Sequence, residues 1–264
     1  MTMSLNVPAT TGLLASPVVE LRQYTLKPGR RETLIDIFDS RFIEGQEDAG
    51  MTIIGQFRDL DRPDMFVWLR GFDDMEARKE ALTAFYDGPV WTAHRNAANA
   101  TMIDSDDVLL LKPAWPGAGF DLSGAQRGAL PKEGKPSTDN RLASIVVIWI
   151  HHLQPRAEAD FIGRFETDAG PILATTGGRL LGAFITEHAE NSFPRLPVRE
   201  NEPVLAWLTR FDDEAAERRH AALLQASGCL GRAEWRAHLS GEPTQLRLAP
   251  TDRSALRRRP SQEG

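Results

Sequence analysis

Met65-Phe66-Val67-Trp68-Leu69-Arg70-Gly71-Phe72-Asp73-Asp74 is written into this chain twice. The second copy is Val204-Leu205-Ala206-Trp207-Leu208-Thr209-Arg210-Phe211-Asp212-Asp213. Trp-Leu, one Phe and the closing Asp pair recur in the same order. Each copy reads as a strand, and an aspartate of each pair suits the N-terminus of the helical pattern that follows. Each helical pattern ends near Trp-x-Ala-His, at Trp91 to His94 and at Trp235 to His238.

Working outward, residues 18–26 read as a strand with Val19 and Leu21 on one face and Glu20, Arg22 and Tyr24 on the other. Residues 30–43 carry Leu34, Ile35, Ile37, Phe38 and Phe42 at helical spacing. Strands at 52–57 and 66–72 are joined by a turn at 60–64, a helix runs from about 75 to 85, and a last strand covers 108–111. This is the ferredoxin-like order. Residues 144–250 repeat it, with Leu180-Leu181-Gly182-Ala183-Phe184 matching Ile53-Ile54-Gly55-Gln56-Phe57 and Leu246-Arg247-Leu248-Ala249-Pro250 matching Leu109-Leu110-Leu111-Lys112-Pro113.

Ile145-Val146-Val147-Ile148-Trp149-Ile150 does not alternate. An antiparallel strand that is apolar on both faces needs cover on both. Its own helices cover one face, so the repeat must cover the other. The expectation is an α+β protein: two fused ferredoxin-like domains forming an intramolecular dimeric α/β barrel. The expected boundaries are a flexible arm at 1–16, a first domain at 17–113, a linker at 114–140 rich in Gly, Pro and Ser, a second domain at 141–250, and a basic, solvated tail at 251–264. Sheet edges left free after barrel closure are expected to allow further pairing into homo-oligomers.

The chain has 264 residues, enough for two modest domains. A net charge of -6 argues against a nucleic-acid partner, which wants a concentrated basic face. No run approaches ~18 apolar residues, so no membrane span is expected. Residues 1–21 hold no Lys or Arg, so no signal peptide is read there, and a cytoplasmic location is the expectation. The single cysteine, Cys229, rules out an internal disulfide and reads as a small buried filler.

Glu20-Leu21-Arg22-Gln23-Tyr24-Thr25-Leu26-Lys27-Pro28-Gly29 resembles the opening of the NIPSNAP family, within the dimeric α/β barrel superfamily. Asp73-Asp74 and the Trp-bearing helix end are similar too, and the resemblance spans residues 18–113 and 142–250. The third strands depart from the family's His-x-Trp, reading Trp68-Leu69-Arg70 and Trp207-Leu208-Thr209. The resemblance implies the barrel fold. Relatives in the wider superfamily include cofactor-free monooxygenases, polyketide-tailoring enzymes and haem-binding proteins.

Strand parity, with the aliphatic sets assigned to the helices, turns Glu20, Arg22, Tyr24, Trp68, Arg70 and Phe72 toward the barrel interior. Aligning Leu26-x-Pro28 with Leu153-x-Pro155 puts His151 at the Tyr24 position and Trp149 at the Arg22 position, with Trp207 and Thr209 beside them. The reading is a cavity inside the barrel for a small aromatic or anionic molecule. Arg22 and Arg70 would meet a carboxylate or enolate. Glu20, Trp68, Trp149 and Trp207 would form walls, and His151 or Tyr24 would transfer the proton. The alternative is that Glu20 and Arg22 pair with each other and the tryptophans fill space. Trp91, His94, Trp235 and His238 are either ligand-lining barrel ends or a duplicated packing motif.

No metal is expected, because adjacent His151 and His152 point to opposite faces of a strand. Asp104, Asp106 and Asp107 read as a solvated turn. Haem would need an axial ligand from His151, His94 or His238. The expectation is no cofactor. The function read from the sequence is small-molecule binding with cofactor-independent monooxygenase or isomerase/cyclase chemistry. A scaffold with partners bound outside is the alternative.

Overall fold

In the computed structural model the described residues are 15–130, 144–228 and 231–257. Cys229, most of the arm at 1–16, part of the linker and the end of the tail lie outside them.

The first half runs β1 (Val18–Leu26), α1 (Arg31–Ile37), a π-helical turn (Phe38–Phe42), α2 (Ile43–Asp48), β2 (Thr52–Asp59), β3 (Met65–Phe72), α3 (Met75–Tyr86), α4 (Pro89–Asn99) and β4 (Met102–Pro113). The second half repeats this with β5 (Ile145–His152), α5 (Glu158–Arg164), a π-helical turn (Phe165–Ala169), α6 (Gly170–Thr175), β6 (Arg179–Thr186), β7 (Val204–Phe211), α7 (Glu214–Ser227), α8 (Ala233–Arg236) and β8 (Thr244–Pro250).

The aspartate pairs do what their spacing predicts. Asp74 accepts the Ala77 N–H at 2.7 Å, and Asp213 accepts the Ala216 N–H at the same distance. Two local readings change. The helical pattern after β3 breaks at Gly88-Pro89, so Trp91 and His94 sit inside a separate helix, α4. Asp104, Asp106 and Asp107 lie in β4 opposite β1, where the register slips at Gln23 and Thr25, rather than in a turn.

The strands close in the order β1-β3-β2-β8-β5-β7-β6-β4. Each half contributes four strands in the ferredoxin-like order, and two antiparallel seams join them, β2 to β8 and β4 to β6. Every strand has a neighbour on each side, so the expected free edges do not exist among the described strands. As the non-alternating strand requires, β5 is covered on both faces. Val146, Ile148 and Ile150 enter the barrel, and Val147 and Trp149 pack on the other side.

The alternation was legible but its direction is inverted. Val19, Leu21, Val67 and Leu69 fill the barrel with Val146, Ile148, Leu208 and Leu248. Tyr24, Trp68 and Phe72 pack instead against Leu34, Phe38, Phe42 and Phe85 of the helices. An eight-stranded barrel is just wide enough inside for side chains to fill it, and medium-sized aliphatic groups from both halves do so. The expected cavity inside the barrel therefore does not form there. Phe57, Phe120 and Phe184 also pack in the interior, while the tryptophans of β3, β5 and β7 and the charged side chains of β1 and β3 lie in the layer between sheet and helices.

Residues 114–130 close one end of the barrel. Ala114 N–H donates to Ala183 O at 2.9 Å, and Phe120 lies over Phe184 with ring centroids 4.7 Å apart. Residues 251–257 are packed rather than solvated, with Leu256 among the interior side chains. Among the described residues, no helix is long and apolar enough to cross a membrane.

Candidate functional site

In the first half the sheet–helix layer holds a buried ion cluster with one carboxylate and three guanidinium groups. Glu20 and Arg70 face each other across β1 and β3, and Arg22 stands opposite Trp68. Arg22 Nη1 and Arg70 Nε each donate to Glu20 Oε2 at 2.7 Å. Arg78, from α3, donates through Nε to Glu20 Oε1, also at 2.7 Å. All four side chains are essentially inaccessible to solvent. Burial pushes the Glu20 carboxyl up, but Arg70, Arg22 and Arg78 together outweigh it and hold the group well below the usual carboxylate range.

Three guanidinium groups against one carboxylate leave two positive charges over. The remaining donors are only partly used. Arg22 Nε donates to Tyr24 Oη at 3.0 Å, and Arg70 Nη1 donates to Gln46 Oε1 at 3.2 Å. Arg78 Nη1 donates to Asn191 Oδ1 at 3.0 Å and Ser192 Oγ at 3.1 Å. Arg70 Nη2, Arg78 Nη2 and Trp68 Nε1 are buried without a partner.

Beside this cluster lies a cavity of about 210 Å³. Its aromatic walls are Tyr24, Phe38, Phe42, Trp68, Phe85, Tyr86 and Trp91, and its polar edge includes Gln46, Asn99 and Ser105. Tyr24 and Gln46 therefore touch both the cavity and the arginines. Arg70 stacks its guanidinium 5.0 Å from the Trp68 ring centroid, and Arg22 lies 5.5 Å from the same ring. Burial, the largest influence, raises the Tyr24 hydroxyl above its ordinary value despite Arg22. Tyr24 stays protonated and, having accepted from Arg22, keeps its O–H to donate. Phe38 and Phe42 project from the π-helical turn, a distortion that recurs at functional sites.

The structure separates the sequence-predicted residues into two groups. Glu20, Arg22, Tyr24, Trp68, Arg70 and Trp91 come together in the first half. His94 touches Phe42 from α4, with ring centroids 6.4 Å apart, but does not line the cavity. His151, Trp149, Trp207, Trp235 and His238 lie in the corresponding layer of the second half. There His151 stacks on Trp207 at 4.5 Å, with Phe161 and Trp235 closing over it. Burial, with a smaller push from His152, lowers His151 to about 3, so it is neutral, and neither ring nitrogen has a partner. Trp235 Nε1 donates to Asp168 at 3.1 Å, and Arg164 donates to His238 Nε2 at 3.2 Å. By register, Trp149 and Thr209 occupy the places of Arg22 and Arg70. Among the described residues the second half has no cationic cluster there.

Sequence reasoning missed Arg78, Gln46, Tyr86 and the contributions of Asn191, Ser192 and Leu196. Arg78 follows Asp74 by one helical turn, a spacing that aims it back at the sheet. A wider recess of about 360 Å³ opens at the barrel end near Arg179, Arg210 and Asp121. It is formed largely by exposed loop residues and holds no comparable buried cluster. Among the described residues, no group of three or more His, Cys, Asp or Glu is placed to hold a metal ion.

Residues 19–115 match the NIPSNAP family. No curated protein matches the sequence. Among solved structures, a candidate monooxygenase from Fusobacterium nucleatum aligns with a TM-score of 0.55 at 7% identity, over 89% of this chain and 93% of its own. An anthrone oxidase-like protein aligns with a TM-score of 0.54 at 12% identity, over 90% and 93%. A candidate monooxygenase from Lactobacillus acidophilus aligns with a TM-score of 0.53 at 10% identity, over 89% and 94%. At such identities these likenesses establish the fold. The first half of the chain, residues 19–115, is thus similar to a NIPSNAP domain, and it is built together with the second half into one closed eight-stranded α/β barrel.

Proposed function

We propose that the first-half cavity binds a small, planar aromatic molecule as its anion and stabilises negative charge that develops on it. The observation that carries this is the excess of two buried positive charges behind Tyr24, Gln46 and Trp68, which line an aromatic cavity. An uncompensated buried ion costs several kcal/mol, and an anionic ligand offsets that cost. Glu20 does pair with the arginines, as the packing alternative supposed, but one carboxylate cannot neutralise three cations. At about 210 Å³ the cavity is smaller than the ~300–1,000 Å³ that drug-sized ligands occupy, which suits one or two fused rings.

The chemistry that follows is cofactor-independent. The cationic field favours the ionised form of a phenol or an activated C–H of the ligand, whose proton is lost to solvent, and Tyr24 donates to the resulting oxyanion. His151 takes no part. Two of the structural neighbours are named as monooxygenases and a third as anthrone oxidase-like, which supports an oxidative reading. The scaffold reading is weaker, because among the described residues the exposed large apolar side chains Leu60, Ile103, Leu130, Leu180 and Leu223 are spread over β4, β6, α7 and two connecting segments.

The test uses 4-nitrophenol, whose colour reports its ionisation. Bound to the protein, its absorbance midpoint should move to lower pH by about one pH unit, roughly 1.4 kcal/mol. Arg70→Met should weaken binding about tenfold or more without lowering thermal stability, since it removes a surplus buried cation. No binding, or a midpoint displaced upward, would overturn the proposal.

A further inference from the structure

The two halves connect their second and third strands differently. In the first half residues 60–64 make a short turn between β2 and β3. In the second half residues 187–203 join β6 to β7, and they leave their own half. Glu187 N–H donates to Leu110 O at 2.8 Å, and Arg199 N–H donates to Val108 O at 2.8 Å, fixing both ends of the segment to β4. Arg199 also pairs with Asp107 at 3.0 Å, and Arg195 pairs with Asp87 at 2.7 Å.

Between these anchors the segment enters the first-half site. Asn191 Oδ1 and Ser192 Oγ accept from Arg78. Phe193 is buried in the first-half core, its ring stacked on Tyr86 with centroids 6.1 Å apart. Leu196 lines the cavity itself. The turn is internally braced, because Asn191 Nδ2 donates to Leu196 O at 2.9 Å while its Oδ1 accepts from Phe193 N–H at 3.1 Å. One side chain, Asn191, therefore links the position of Leu196 to Arg78 of the ion cluster.

We propose that residues 187–203 of the second half are the specificity-determining wall of the first half's cavity, with Leu196 setting the permitted ring size and Asn191 holding Arg78 on Glu20. This rests on the cavity being a binding site for aromatic anions. The second half thus contributes to recognition through its connection while its own equivalent space is filled by His151, Trp207 and their neighbours. Leu196 acts by volume and should alter which ligand binds. Asn191 acts by holding the charged Arg78 and should alter the affinity for every anion.

The experiment measures the affinities of 4-nitrophenolate and of the two-ring 4-nitro-1-naphtholate for the full chain. Leu196→Ala should shift the affinity ratio toward the naphtholate by about tenfold, and Leu196→Trp should shift it the other way. Asn191→Asp cancels part of the surplus charge and should weaken both ligands by about tenfold. Leu223→Ala, on the exposed side of α7, is the control and should change neither quantity. Ratios unmoved by both Leu196 variants, while Arg70→Met still weakens binding, would overturn the wall and leave the cavity reading intact. Unchanged affinity in Asn191→Asp would overturn the role of Asn191. If the unsubstituted chain binds neither compound, the cavity reading falls and this inference falls with it.

Discussion

His151 illustrates how far a side chain's chemistry depends on what covers it. The sequence places it where Tyr24 stands in the other half, and the register bears out that equivalence. It does not reveal that Phe161, Trp207 and Trp235 seal the imidazole, because those rings arrive from two helices and a neighbouring strand. The unfolded chain takes up a proton near pH 6.5, whereas the folded His151, desolvated and beside His152, waits until about 3. The folded state therefore loses stability as pH falls through that window, by up to about 1.4 kcal/mol per pH unit. His151→Phe should flatten this acid slope in urea unfolding between pH 7 and pH 4, and should leave 4-nitrophenol binding unchanged. An unchanged slope would show that the imidazole is not desolvated. Loss of binding would return His151 to the site. Arg78 is the opposite case. Its guanidinium completes the ion cluster, yet nothing in a single helix pattern shows which strand carboxylate it will meet.

At the scale of elements, the repeated Gly-x-Phe of β2 and β6 was legible as a repeat but not as a device. In both strands the register slips beside the glycine, at Gly55 and Gly182, and the phenylalanine two residues on lies against it inside the barrel. A Cβ at position 55 would stand 2.6 Å from Phe57 Cζ, and one at 182 would stand 2.7 Å from Phe184 Cε2. Gly55→Ala should therefore destabilise the protein by about 1–3 kcal/mol through displacement of the Phe57 ring. Gly163→Ala in α5, where a Cβ meets nothing within 4 Å, should instead be neutral or stabilising by up to about 1 kcal/mol. Chemical denaturation of both variants checks the contrast, and equal effects would refute the packing account. The same strands explain the inverted faces. Alternation tells which residues share a side, while the choice of side depends on the volume available, and only the closed barrel sets that volume.

For the whole molecule, the internal repeat and the two-sided apolar β5 were enough to infer the barrel. The seams that close it were not legible, because each rests on a short backbone register, such as Phe57 with Pro250 and Leu111 with Thr186. The interior is shared, with Leu21, Leu69 and Leu109 of one half packed among Ile148, Leu208 and Leu246 of the other. A half standing alone would expose that face at about 1.5–3 kcal/mol per large side chain. Residues 15–130 expressed alone should thus fail to fold as a monomer, and co-expression with residues 144–257 should restore a stable particle, as read by circular dichroism and size-exclusion chromatography. A folded, monomeric first half would contradict this. The two seams have a further consequence. A barrel assembled from two identical chains must write every substitution on both sides, so a charge gained in one cavity is gained in its twin. Covalent fusion lifts that symmetry. Here one half can keep Glu20 and its three arginines while the other carries Val147, Trp149 and Thr209 at the equivalent strand positions, and a connection lengthened on one side alone can reach across to serve the other.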